Sequence, residues 1–271
     1  MGDRLVGKIA LVTGSTSGIG RGIALEFARQ GAKVVVTGRR RAHCEAVAAE
    51  IAALGGEAAY FQVDVSKSDQ VEAMSRFVGE RYGKLDILVN NAGLPGRGRA
   101  GRIGDPPGPL WEGSTEELWD AMYAAVLRGT SLCCKDLMPH LVASGKASII
   151  NISSIHALRG YGMDFYSVVK SGLVGLTMSM AVSYARDRVR VNAICPGAVV
   201  VERLEKEYED PKVVEAALRQ SLTRLGRPQD IAYCAVYLAS DEAEYVTGSV
   251  FTIDGGMWAK GAHHAVGSEG M

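Results

Sequence analysis

Strand-like and helix-like segments alternate from the first residues of this 271-residue chain, and that rhythm constrains the fold more than any other feature. Ile9 to Thr13 is a short apolar run that stops at glycine. Ile19 to Gln30 has helical spacing and ends at Gly31. Lys33 to Thr37 is β-branched, and Arg41 to Leu54 is alanine-rich and helical, closed by Gly55-Gly56. Ala58 to Val63 reads as a strand, Gln70 to Tyr82 as a helix and Leu85 to Val89 as a strand. A strand that returns parallel to its predecessor needs a crossover, usually a helix, so this alternation predicts a parallel sheet with helices on both faces.

The rhythm breaks from Leu94 to Gly113, a stretch rich in glycine and proline that reads as a long functional loop. Helix resumes at Thr115, where Glu116 and Glu117 suit a first turn, and runs toward His140. Ser148 to Ile152 is a strand, Met163 to Ala185 a helix and Val189 to Ile194 a strand. Glu202 to Arg219 looks helical, Gln229 to Ala239 is a helix preceded by Pro228, and Val250 to Ile253 is a last strand. No internal repeat or linker divides the chain, so residues 1–271 are expected to form one domain. Within it we expect an inserted loop at 94–113, a substrate lid at 199–222 and a loose tail at 257–271.

Composition narrows the function. Lysine plus arginine equals aspartate plus glutamate at 30 each, which argues against a nucleic-acid surface or an electrostatic membrane anchor. Cys44, Cys133, Cys134, Cys195 and Cys234 have no metal-ligand spacing, and an odd count argues against a full disulfide framework. No metal site is expected. The first residues lack the apolar core of a signal peptide, and no apolar run reaches about 18 residues without charged or several polar groups. The expectation is a soluble, cytoplasmic protein with no membrane or nucleic-acid partner.

Between the first strand and the first helix lies Thr13-Gly14-Ser15-Thr16-Ser17-Gly18-Ile19-Gly20. Glycines there let the backbone turn tightly and approach a pyrophosphate, to which the helix N-terminus offers N–H groups and partial positive charge. The second strand ends at Thr37, before Gly38-Arg39-Arg40-Arg41. NAD enzymes usually carry an acidic residue there for the ribose 2′-OH. Here an arginine fork suits the 2′-phosphate of NADP. Arg39 is the first choice, with Arg40 beside it, while Arg41 reads as the start of a solvated helix. Asp64-Val65, after the third strand, reads equally as an adenine neighbour or, for Asp64, as a local cap.

Tyr166 and Lys170 stand four residues apart, a spacing that stacks two side chains on one helical face, and Ser154 lies twelve residues before the tyrosine. A free tyrosine titrates near pH 10. An ammonium ~4 Å away at an effective dielectric of ~20 favours the phenolate by about 4 kcal/mol before solvent screening. Such a pair gives and takes protons near neutral pH.

With Asn90-Asn91-Ala92-Gly93 after the fourth strand, Ser154, and Tyr166 with Lys170, the chain resembles the short-chain dehydrogenase/reductase family. The resemblance runs from Gly7 to Gly256 and includes Pro196-Gly197, Gly226-Arg227-Pro228-Gln229-Asp230 and Val246-Thr247-Gly248 through Asp254-Gly255-Gly256. It implies a doubly wound Rossmann fold of seven parallel strands in the order 3-2-1-4-5-6-7, and a homotetramer or homodimer. By the same resemblance Tyr166 is the acid/base, Lys170 its partner, and Ser154, rather than Ser153, the residue that orients the substrate oxygen. Tyr166 and Lys170 also touch the cofactor, Lys170 at the nicotinamide ribose. Asn91, Ala92 and Gly93 line the adenosine side, and Pro196, Gly197 and Val199 face the nicotinamide.

Two positions depart from the family pattern. Valine stands in Ala125-Val126-Leu127-Arg128-Gly129 where the family often has an asparagine that helps hold a water between the lysine and solvent. Val201 stands where a threonine often touches the nicotinamide amide. His156, Leu158, Tyr161, Met163 and Phe165, with Val199, Val200 and Leu204, form a largely apolar candidate pocket. Arg97, Arg99 and Arg102 offer an anionic alternative or a plain solvated loop, and His263-His264 lie in the tail. The reading is an NADP(H)-dependent oxidoreductase, with NADP(H) favoured over NAD(H), acting on an apolar ketone or secondary alcohol. The alternatives are a non-catalytic cofactor-binding protein or an epimerase or dehydratase on the same fold.

Overall fold

A computed structural model describes residues 2–94, 115–159, 164–204 and 207–260. Seven strands form one parallel sheet: β1 (Ile9–Val12), β2 (Lys33–Gly38), β3 (Glu57–Gln62), β4 (Ile87–Asn90), β5 (Ala147–Ile152), β6 (Val189–Pro196) and β7 (Val250–Ile253). Their order is β3-β2-β1-β4-β5-β6-β7, as the resemblance implied. The switch of direction at β1 and β4 opens a crevice at their carboxyl ends, where doubly wound sheets bind ligands.

The helices are α1 (Gly18–Arg29), α2 (Arg41–Ala53), α3 (Ser68–Tyr82), α4 (Glu116–Met122), α5 (Gly129–Ala143), α6 (Asp164–Ser183), α7 (Pro211–Gln220) and α8 (Pro228–Ala239). Two apolar cores explain why the strands read as continuous runs. Ala10 and Val12 join Ile87, Val89, Ile150 and Ile152 in a core with residues of α1, α2 and α8. Ile9 and Leu11 join Leu88 and Ile149 on the other face, with residues of α3, α5 and α6. Both faces of the central strands β1, β4 and β5 are covered, so polar alternation has no place there.

Two expectations change. Residues 202–219 are not one helix. They form a 3-10 turn at Glu202–Leu204, another at Glu207–Glu209, and then α7. Pro211 lacks a donor and clashes with a preceding helical turn, so it opens α7 at its first position, capped by the Asp210 side chain accepting from Lys212 N–H at 2.9 Å. The helix expected from Thr115 to His140 holds a π-turn at Tyr123–Arg128. Phe165–Ser183 is long and apolar enough to cross a membrane by length and composition, with mean hydropathy 1.3. Its second turn carries Lys170, which is buried and bonded inside the fold, so the helix is tied to the sheet.

Leu94 through Gly113, with Arg97, Arg99 and Arg102, falls apart from Leu94 outside the described residues, as do Tyr161, Met163, His263 and His264. Cys44, Cys133, Cys134 and Cys195 are buried, and Cys234 is partly so.

Candidate active site

The glycine loop is held open by side chains rather than by chance turns. Thr13 Oγ1 donates to Val89 O at 3.2 Å and accepts from the N–H groups of Asn91 and Ala92 at 2.9 and 3.0 Å. Asn91 Nδ2 in turn donates to Thr13 O and Gly14 O. Ser15 is fully buried; its Oγ donates to Val12 O at 2.8 Å and accepts from Thr37 N–H. Ser15 is thus a strap between β1 and β2, its hydroxyl turned inward. Gly14 adopts φ +63°, which favours glycine. A Cβ on Gly20 would lie 2.3 Å from Asn91 Nδ2 and 2.4 Å from Gly14 O, so α1 reaches this close to the loop only with glycine there.

This architecture fits a dinucleotide phosphate. Ser17, at the N-cap of α1, makes no side-chain cap bond, and the first turn has no acidic residue, so the helix end is not sealed locally. Thr16 is half-buried and Ile19 packs against the core. Gly38 also has a steric reason: a Cβ there would meet Thr16 Cγ2 at 2.7 Å. Any side chain at the end of β2 would therefore have to displace Thr16. Arg39 and Arg40 follow, both exposed, while Arg41 is engaged by Glu45 at 2.8 Å and Tyr60 at 3.1 Å. Asp64 acts as a local cap, its Oδ1 accepting from Ser66 N–H and Oγ. Val65 turns its side chain into the core beside Gly129.

At the carboxyl ends of β5 and β6 the side chains change character. Lys170 is buried on α6, and its Nζ donates to Ile152 O at 2.8 Å and lies 5.6 Å from the Tyr166 ring centre. Burial pushes the ammonium down to about 8, against the weaker influence of the Cys195 thiol. The His156 ring meets Tyr166 edge-on at 5.7 Å, and burial holds that imidazole down near 4, so it is neutral at pH 7. The His156 N–H donates to Ser154 Oγ at 3.2 Å, which leaves the Ser154 proton available to another acceptor. Ser153 Oγ, by contrast, spends its proton on Lys170 O at 2.8 Å. That division distinguishes two adjacent serines that sequence alone ranks weakly.

These residues share one corner because β5 runs into the Ile155–Ala157 turn and α6 packs on it. Trp119 on α4 meets the Phe165 ring at the start of α6, 4.6 Å between centres and tilted at 59°. Pro196 ends β6, and Gly197 N–H donates to Ile253 O at 3.1 Å. Val199 pairs with Gly226 in an isolated parallel bridge that anchors the segment leading to α7. Val126 is buried in the π-turn, packed with Val169 and Leu173 beneath α6.

Residues 14–258 match the family described as Enoyl-(Acyl carrier protein) reductase. The chain belongs to the short-chain dehydrogenase/reductase family. It is similar to the 3-oxoacyl-[acyl-carrier-protein] reductase FabG of Thermotoga maritima, 35% identical over 256 residues covering 94% of this chain and 99% of the relative. It is similar also to the Cis-4-hydroxycyclohexanecarboxylate dehydrogenase of Sinomonas cyclohexanicum, 35% identical, covering 96% of this chain and 100% of that one. A solved short-chain type dehydrogenase/reductase from Mycobacterium ulcerans superposes with TM-score 0.85 at 28% identity, covering 96% of this chain and 92% of that one. Short-chain dehydrogenase/reductases are oxidoreductases that use nicotinamide cofactors and act on small molecules.

Two residues of the site went unremarked in sequence. Thr13 is the hub of the loop, and its place immediately before the first glycine was the available signal. Glu202 lies against the N-terminus of α1 from 184 residues away, and nothing local in sequence announces it.

Proposed function

We propose that this short-chain dehydrogenase/reductase is an NADP(H)-dependent enzyme interconverting a ketone and a secondary alcohol on a mainly apolar substrate. The observation that carries this reading is the buried Lys170 beside Tyr166, next to Ser154, whose hydroxyl donates to no partner among the described contacts. Tyr166 gives its phenolic proton to the carbonyl oxygen as the carbon is reduced, and takes it back in the reverse direction. Lys170, as an ammonium, favours the phenolate left behind. Ser154 donates to the same oxygen and fixes its position. A bound nicotinamide supplies or accepts the hydride.

Loop 14–20 with Asn91, Ala92 and Gly93 would hold the dinucleotide, with Pro196, Gly197 and Val199 at the nicotinamide end. At the adenine Val65 would contribute its backbone, since its side chain is in the core. Arg39, helped by Arg40, would take the 2′-phosphate; neither guanidinium has a partner among the described residues, whereas Arg41 has two. The two relatives' names, a 3-oxoacyl reductase and a ring-alcohol dehydrogenase, support carbonyl and alcohol chemistry on a carbon framework. Residues 199–222 would serve as the lid within one cytoplasmic domain. Exposed Val168, Met178 and Val182 on α6 favour a homodimer or homotetramer through that helix.

The test is NADPH oxidation followed at 340 nm with a panel of ketones, and the same with NADH. Wild-type turnover that Tyr166→Phe abolishes while NADPH binding survives supports the reading. Unchanged turnover in that variant refutes it.

A further inference from the structure

The N-terminus of α1 is met by a carboxylate from the far half of the sheet. Glu202 Oε2 accepts the Gly18 N–H at 2.8 Å, and Glu202 Oε1 lies 3.7 Å from Arg21 Nη1. Arg21 has a closer partner in Glu50 at 2.6 Å, so the backbone N–H is the main anchor of Glu202. Val201 places Cγ1 3.2 Å from where a Gly18 Cβ would stand. Leu204 N–H donates to Val201 O at 2.8 Å and closes the turn. Val201–Leu204 is therefore seated on the glycine loop by a charged hydrogen bond, a long ion pair and an apolar contact.

We propose that Glu202 is a built-in competitor for the cofactor's pyrophosphate, and that cofactor binding unseats the segment from Val201 to Leu204. This rests on the reading of loop 14–20 as the pyrophosphate site. The partial positive charge of a helix end favours one anion at a time. A pyrophosphate accepting at the first turn of α1 would stand beside the Glu202 carboxylate, and two anions there repel. The Glu202 side chain is half exposed, so it can swing into water without leaving a buried charge. Val201 and Leu204 move with it, and they head the chain that leads to α7. Cofactor occupancy is thereby coupled to the position of residues beside the substrate crevice.

The experiment is fluorescence titration of the full chain with NADPH and with NADH, for wild type, Glu202→Gln and Glu209→Gln. Glu209 is an exposed acid on the same segment that does not touch α1 among the described contacts. Removing the competing anion should tighten both cofactors by about two- to fivefold in Glu202→Gln, the range expected of one charge at a helix end. Glu209→Gln should bind as wild type does. Equal or weaker binding by Glu202→Gln overturns the proposal, and so does an equal gain in Glu209→Gln, which would mark a bulk charge effect. Failure of wild type and both variants to bind either dinucleotide would instead refute the reading of the loop itself. Circular dichroism of each variant checks that a null result is not a folding defect.

Discussion

The two halves of the crevice are built from different materials. At the β1–β4 end the surface proposed for the dinucleotide is main chain, shaped by glycines and fixed by Thr13, Ser15 and Asn91, whose side chains bond back to the protein backbone. At the β5–β6 end the working groups are side chains, and they include a buried lysine with a depressed affinity for its proton. The first half stores little electrostatic cost, because the hydroxyls of Thr13 and Ser15 and the amide of Asn91 are bonded in place. The second holds a charge that burial disfavours, offset in part by one carbonyl at 2.8 Å. The contrast teaches that recognition of a common ligand part can be left to backbone, whereas proton transfer requires titratable groups held where they are least comfortable.

The largest effect expected is at the side-chain end. Tyr166→Phe should lower turnover by about 10²- to 10⁴-fold with little change in melting temperature, measured by NADPH oxidation beside calorimetry. Residual turnover near wild type would erase the proposed division of labour.

Lys170 gives a pH test of the same half. Its folded value, near 8, lies below the ordinary lysine value of 10.5, so between those values the unfolded chain binds more protons. Stability should therefore rise with pH from about 8 to 10.5, by on the order of 3 kcal/mol. Below pH 8 the cost of the buried ammonium is fully present. Lys170→Met should flatten that rise in urea melts across pH; a slope identical to wild type would show that the ammonium is not penalised.

At the backbone end, Arg39→Ala should cut the preference for NADPH over NADH by about 10- to 100-fold, the value of one charged hydrogen bond. Equal loss for both cofactors would move Arg39 away from the 2′-phosphate. Smaller still, Gly20→Ala should cost about 1–3 kcal/mol of stability and weaken both cofactors together, since its Cβ would overlap Asn91 Nδ2 and Gly14 O. A variant as stable as wild type would mean the loop is softer than its contacts imply.

Much of the fold was legible because its signals are local. Glycine after Val12-Thr13, alanine-rich periodicity in α2 and β-branched runs in β2 each announce an element without reference to the rest. The miss at 202–219 was one of weighing: charged, helix-forming residues outvoted Pro211, although proline forbids a helix passing through it there. The π-turn at Tyr123–Arg128 leaves no such mark, since one extra residue per turn is set by packing against α6.

What the sequence carried by itself was therefore the succession of strands and helices, the glycine loop and the Tyr166–Lys170 spacing, with Ser154 added as a candidate by the family resemblance, because composition and short spacings are local. Tertiary structure alone decided that Ser153 is spent on Lys170 O, that Val65 faces the core, that Gly38 lies against Thr16, and that Glu202 sits on α1. Each of these depends on atoms brought together from distant strands, and a pattern read along one chain holds no distances between them.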